Sequence, residues 1–157
     1  MDGDQTDNSA SSAGAAYVFT RSGTAWTQSA YVKASNAEAR DNFGQAVALS
    51  SDGNTLLVGA PNEASNAIGI NGDQTDNSLP DKGAAYLFTR SAGTWVQKAY
   101  LKPMSGGDVG LGLSVALSGD GKTVAAGSYV ESGRGIGING DKTQDTSKTS
   151  SGGLYLY

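Results

Sequence analysis

Apolar residues along this chain come in short bursts separated by Gly, Asn, Asp and Ser. Gln45-Ala46-Val47-Ala48-Leu49-Ser50 places small residues on one face and Val47 and Leu49 on the other, the period of a β-strand. Ser51-Asp52-Gly53-Asn54 reads as a tight turn, with Gly53 supplying a positive φ. Thr55-Leu56-Leu57-Val58-Gly59-Ala60 then runs back. A long polar loop over residues 62–82 leads to an apolar run at 84–89, and the Ser91-Ala92-Gly93 turn joins that to 95–102. The pattern predicts strands near 15–20, 26–33, 45–50, 55–60, 84–89, 95–102, 113–118, 123–128 and 153–157. No segment carries the apolar stripe of an amphipathic helix, so the predicted class is all-β.

The pattern repeats. Residues 14–33 return at 83–102 with 13 of 20 positions identical, Trp26/Trp95 and Tyr31/Tyr100 among them. Residues 44–59 return at 112–127 with 9 of 16 identities. Ile68-Gly69-Ile70-Asn71-Gly72-Asp73 recurs unchanged as Ile136-Gly137-Ile138-Asn139-Gly140-Asp141. Residues 3–9 repeat as 72–78, and residues 152–157 are a third copy of 14–19. A unit of 68 to 69 residues is thus present about 2.3 times in 157 residues. Four antiparallel strands per unit, joined mostly by short turns, describe a blade of a β-propeller. On this reading residues 1–157 are one propeller section: a partial blade over 1–42, a complete blade over 43–102 and a partial blade over 103–157. The sequence opens inside a loop and closes inside a strand, so the expected whole is a larger ring of which this is a fragment.

Phe43-Gly44, with Gly59-Ala60-Pro61 fifteen residues after that glycine, resembles the FG-GAP repeat of the integrin α-chain propeller family. The full stretch over residues 41–61 is similar to bacterial tandem FG-GAP repeats, whose copies carry the same long GINGDQTDNS loop. The second copy departs from the motif at Leu111-Gly112 and at Gly127-Ser128-Tyr129. The resemblance implies a seven-bladed ring, secreted or on the cell surface. It also implies a non-enzymatic module for ligand binding or adhesion, with calcium as a stabilising ion.

Composition narrows the classes further. With 11 basic and 15 acidic residues and a net charge of −4, the chain lacks the basic face of a nucleic-acid binder. No apolar stretch reaches the roughly 20 residues of a membrane-spanning helix. The absence of Cys and His removes disulfides, thiolate metal sites, the usual zinc ligand and the commonest general base. No enzymatic activity is expected. Met1 leads straight into Asp2-Gly3-Asp4, without the basic and apolar regions of a secretory signal.

Two groups of residues are candidate sites. Within residues 71–78, Asp73 and Asp76 with Asn71 offer oxygen ligands of the kind calcium takes. Asp4 and Asp7 are the N-terminal counterparts, while Asp141 and Asp145 form a third set with altered spacing and an added Lys142. The competing reading is an ordered Asx-turn loop, its Asp side chains capping backbone amides. The hairpins at 50–53 and 118–121 hold one carboxylate each, too few for a hard cation. Trp26, Trp95, Tyr31 and Tyr100 could stack on a carbohydrate, but their recurrence suits packing between successive blades. Arg21 and Arg90 read as solvated strand ends, and Glu38, Arg40 and Asp41 as a solvated surface cluster.

Two roles follow. One is a binding or adhesion module with a protein or carbohydrate ligand on its loops. The other is a structural protein whose repeats, in one chain or as a homo-oligomer, assemble into a surface layer, sheath or fibre.

Overall fold

The computed structural model describes residues 4–104, 110–132, 137–139 and 150–157. Among them lie nine strands: β1 (Ala16–Ser22), β2 (Ala25–Val32), β3 (Ala46–Leu49), β4 (Thr55–Ala60), β5 (Ala84–Ser91), β6 (Thr94–Leu101), β7 (Ser114–Leu117), β8 (Val124–Ser128) and β9 (Gly153–Leu156). Each falls where the hydrophobic pattern predicts one. They form three antiparallel sheets in chain order: β1-β2, β3-β4-β5-β6 and β7-β8-β9.

Local chemistry sets the turns. Asp52 Oδ1 accepts from the Asn54 amide at 2.9 Å and from Ser50 Oγ at 2.6 Å. Asp120 makes the same bonds to Lys122 and Ser118, at 3.1 and 2.6 Å. The two-residue turn between β5 and β6 has positive φ at both Ala92 and Gly93, the hand that matches strand twist.

A β-bulge interrupts the β1–β2 pairing between Val18 and Phe19, and its counterpart interrupts β5–β6 between Leu87 and Phe88. The extra residue reverses the alternation of side chains along β6. Trp95 and Tyr100 are five apart and would point to opposite faces of a regular strand. With the bulge between them, both enter one cluster.

The four-stranded sheet is buried on both faces. Leu56, Val58, Tyr86, Phe88, Trp95 and Tyr100 pack toward the first sheet, where Ala16, Ala30 and Val32 meet them, along with Phe43 of the linker. Phe43 lies edge-on to Tyr86 and Phe88, with ring centroids 5.4 and 6.0 Å away. On the other face Leu57, Ala85 and Leu101 pack against Leu111, Val124, Ala126 and Tyr155. Burying one such aromatic fully is worth about 1.5–3 kcal/mol, so these two seams carry much of the fold's stability.

Glycines let the sheets meet backbone to backbone. Parallel bridges join Gly14 to Phe43 and Gly83 to Leu111. A Cβ on Gly59 would sit 1.9 Å from the Gly112 carbonyl oxygen, and one on Gly44 would sit 2.5 Å from that of Ala15. The glycines that punctuate the repeat are therefore contact points between successive sheets.

The outer sheets leave equivalent positions open. Tyr17, Phe19 and Trp26 are 50%, 51% and 65% exposed, whereas their counterparts Tyr86, Phe88 and Trp95 are buried. Val47 and Leu49 are also exposed, although their counterparts Val115 and Leu117 pack against the four-stranded sheet. The reason is topological: among the described residues the first sheet consists of β1 and β2 alone, without counterparts of β3 and β4. At the far end Tyr155 and Tyr157 pack inward while Leu154 and Leu156 face solvent.

One expectation is corrected. Glu38 and Arg40 are exposed, but Asp41 is only 4% exposed and is no part of a solvated cluster. Its carboxylate turns inward to accept the Glu38 amide at 2.8 Å.

Candidate functional site

The long loop between β4 and β5 returns along the outer edge of β6. Ile70 bridges Leu101, the Asn71 amide donates to the Tyr100 carbonyl at 2.7 Å, and the Lys102 amide donates to the Gly69 carbonyl at 2.8 Å. Asn71 holds a positive φ of 56° and accepts the Tyr100 amide on Oδ1 at 2.9 Å. Its repeat counterpart Asn139 has the same φ. The loop thereby occupies an edge that would otherwise present unpaired backbone groups.

The candidate acidic residues sit just beyond. Asp73 Oδ1 accepts the Thr75 amide at 2.8 Å and its hydroxyl at 2.7 Å, and Asp76 Oδ1 accepts the Ser78 amide at 2.8 Å. The N-terminal copy is built alike: Asp4 Oδ1 takes the Thr6 amide at 2.8 Å, and Asp7 Oδ1 the Ser9 amide at 2.9 Å. Hydrogen bonds lower all four carboxyl pKa values, chiefly from the Thr75 amide to Asp73 and the Ser78 hydroxyl to Asp76, and from the Thr6 hydroxyl to Asp4 and the Ser9 amide to Asp7. These are Asx turns. Among the described residues no group of three or more acidic side chains converges as a metal cage. Asp141 and Asp145 lie outside the described residues.

The same loop fastens onto the linker after β2. Ser35 Oγ donates to Gln74 Oε1 at 2.5 Å, Asn36 Nδ2 to the Gln74 carbonyl at 3.2 Å, and Asn77 Nδ2 to Glu38 Oε1 at 2.8 Å. The loop therefore ties the second sheet to the chain leaving the first.

Beneath it lies a charged node that reading the sequence missed. Glu63 Oε2 accepts Lys102 Nζ at 2.5 Å, and both side chains are almost fully buried, at 2% and 0% exposure. Glu63 Oε1 accepts Tyr100 Oη at 2.7 Å and Asn36 Nδ2 at 2.9 Å. Asn36 in turn accepts Tyr86 Oη at 2.9 Å. Burial pushes the Lys102 ammonium down to about 8 against the pull of Glu63, and pushes both tyrosine hydroxyls up. The node ties the linker after β2, the turn after β4 and the end of β6 to one another. Its signal in the sequence was periodic: Glu63 recurs as Glu131, and Lys33 as Lys102. Glu131 is likewise buried and accepts Tyr155 Oη.

The aromatic candidates divide. Trp95 is buried with Arg90 5.5 Å from its ring centroid, so it is a packing residue; Arg90, half-buried, also donates to Asn54 Oδ1 at 3.1 Å. Trp26 keeps the equivalent contact to Arg21 at 6.0 Å on an exposed face. Tyr100 belongs to the buried node. Tyr31 is buried beside Tyr17, with ring centroids 5.2 Å apart, at a groove of about 480 Å³ lined also by Gly14 and Lys33.

Asp41 gives the node a pH signature. Burial pushes its carboxyl up from 3.8 to about 6, with Glu63 and Glu38 adding to the effect and the Glu38 amide opposing it. An acid whose folded pKa is raised favours the folded state least when ionised. Its penalty is absent below about pH 4, grows between pH 4 and 6, and is full above that. Asp41→Asn is expected to flatten this part of the stability profile and raise Tm at pH 7, as thermal melts from pH 4 to 8 would show.

A family model described as FG-GAP repeat matches residues 26–88, from β2 through most of β5. An FG-GAP repeat domain is therefore present there, consistent with the FG-GAP and integrin-propeller superfamily. FG-GAP repeats are a non-enzymatic structural family. No curated protein matches the chain.

Proposed function

We propose that the chain is a section of a β-propeller that serves as a secreted or cell-surface module, binding a protein or carbohydrate ligand on its loop-bearing rim. The observation that carries this reading is the recurring seam. Two sheets pack on opposite faces of a complete four-stranded one, each joined to it through a glycine bridge 69 residues from its counterpart at Gly14 and Gly83. A stack that repeats this way makes a rigid frame, and a rigid frame with long fastened loops is a common way to present a binding surface. Closure takes about four to eight blades, and likeness to integrins favours seven.

The exposed apolar faces at both ends favour a second reading, assembly with further copies of the repeat into a layer or fibre. Sedimentation velocity separates the two. A single species across concentrations, with saturable binding to arrayed glycans or matrix proteins, supports the module. Growth of the sedimenting species with concentration and no ligand supports assembly.

For the loop, the self-contained Asx turns favour a structural role over calcium ligation by Asp73 and Asp76. Calorimetric titration with calcium chloride is expected to show no saturable site. Saturable binding that disappears in Asp73→Asn would overturn this.

A further inference from the structure

We propose that Asn71-Gly72 is a latent site of self-modification: the fold requires both residues, keeps them unreactive while the loop is clasped to β6, and loses the loop's fastening for good once they convert to isoaspartate.

The chemistry is open to an asparagine followed by glycine. The Gly72 backbone nitrogen, after giving up its proton to base in the solvent, attacks Asn71 Cγ. The Cγ–Nδ2 bond breaks and ammonia leaves, closing a succinimide ring. Water then opens the ring at one of its two carbonyls. Breaking the new Cγ–N bond gives aspartate, with the main chain as it was. Breaking the original peptide bond gives isoaspartate, whose main chain runs through Cγ and is one methylene longer. Glycine favours the ring closure because no Cβ hinders the approach. Asn71 is exposed and Gly72 half-buried, so water and base reach the pair.

The fold nonetheless demands both residues. Asn71 has a φ of 56°, in the left-handed region that asparagine visits more readily than most side chains. Its Oδ1 accepts the Tyr100 amide at 2.9 Å, which Gly at this position could not do. Position 72 has no room for a side chain: a Cβ on Gly72 would sit 2.7 Å from that of Ala67. The same dipeptide recurs as Asn139-Gly140, and Asn139 has the same φ.

The geometry that demands the pair also holds it unreactive. Ring closure needs Cγ to swing onto the Gly72 nitrogen, whereas Asn71 is tied to Tyr100 at two points. Its amide donates to the Tyr100 carbonyl at 2.7 Å, and its Oδ1 is engaged by the Tyr100 amide. Just beyond, Ser65 Oγ donates to the Asp73 carbonyl at 2.6 Å and Asn36 Nδ2 to the Gln74 carbonyl at 3.2 Å. Reaction therefore waits on local opening of the loop. The two products then part. Aspartate at 71 keeps the main-chain length and an oxygen for the Tyr100 amide. Isoaspartate inserts a methylene between the Tyr100 clasp and the Ser65 and Asn36 contacts, so both sets cannot be made at once.

The whole chain, incubated at mildly alkaline pH in buffer and separately in urea, provides the test. Peptide mass spectrometry follows the conversion at residue 71, and enzymatic methylation detects isoaspartate. Conversion in buffer should be at least about tenfold slower than in urea, because it proceeds only through the opened loop. Chains that carry isoaspartate at 71 should show fast hydrogen exchange at the Tyr100 amide. Asn71→Asp, which stands for the other product, should keep that amide as slow to exchange as in the parent chain. Equal rates in buffer and urea would overturn the proposal. So would isoaspartate at 71 with Tyr100 exchange unchanged, or fast exchange there in Asn71→Asp.

Discussion

Lys102→Met is expected to destabilise the protein by about 3–5 kcal/mol, because it leaves the Glu63 carboxylate charged and buried without its partner. Both side chains are sealed from solvent, so water cannot take the place of the missing group. Against a total stability of about 5–15 kcal/mol for a typical domain, that loss is large. The double variant Glu63→Gln with Lys102→Met should cost distinctly less than Lys102→Met alone. It removes the stranded charge while the amide oxygen of Gln still accepts from Tyr100 and Asn36, which bond Glu63 at 2.7 and 2.9 Å. Urea unfolding of the single and double variants measures the coupling directly. Equal losses in the two would show that charge is not what the node depends on.

Gly83→Ala is expected to separate the third sheet from the second, and Gly93→Ala to leave them joined. Both glycines have positive φ, 77° and 84°, so both substitutions carry the same backbone penalty of about 1–2 kcal/mol. They differ in what the new methyl meets. At Gly93 there is open space within 4 Å, whereas at Gly83 the Leu111 amide nitrogen and carbonyl oxygen are each 2.3 Å away. Backbone atoms cannot rotate aside as a side chain would, so overpacking should add about 3 kcal/mol or more. At about 2–4 °C per kcal/mol for a chain of this size, the Gly83 variant should melt roughly 6 °C or more below the Gly93 variant. Hydrogen exchange in β7 and β8 should rise in the first variant only.

Much of the fold was legible because its determinants are local. Runs such as Thr55-Leu56-Leu57-Val58 and turns such as Ser51-Asp52-Gly53-Asn54 carry their own instructions, and the repeat doubled each signal. The bulges were not legible. Trp95 and Tyr100 share a face only because β6 holds an extra residue there, and no residue in Thr94–Leu101 announces it. The loop over residues 62–82 read as irregular because Gly, Asn and Ser hide the short bridge that Ile70 makes with Leu101. Asp41 and Glu63 were misjudged or missed for one reason. Acidic residues beside Pro, Asn and Ala look solvated, and only tertiary packing reveals that Lys102, Asn36 and Tyr100 were waiting for one of them. Asp73 and Asp76 could be read from the sequence either as calcium ligands or as Asx-turn residues, and in the structure their Oδ1 atoms accept the amides of Thr75 and Ser78.

The bridge from Ile70 to Leu101 has a consequence for how such genes can change. It covers the Tyr100–Lys102 end of the outer margin of the second sheet with that sheet's own loop, so a fifth strand could not pair along that end without displacing it. A duplication of one hairpin would displace the loop and strip away its fastening to Ser35 and Asn36. A duplication of a whole 68- or 69-residue unit brings its own loop, glycines and glutamate, and needs only the next seam. Growth by whole units is then the route the fold accommodates most simply, and the 13 of 20 identities between residues 14–33 and 83–102 are consistent with it.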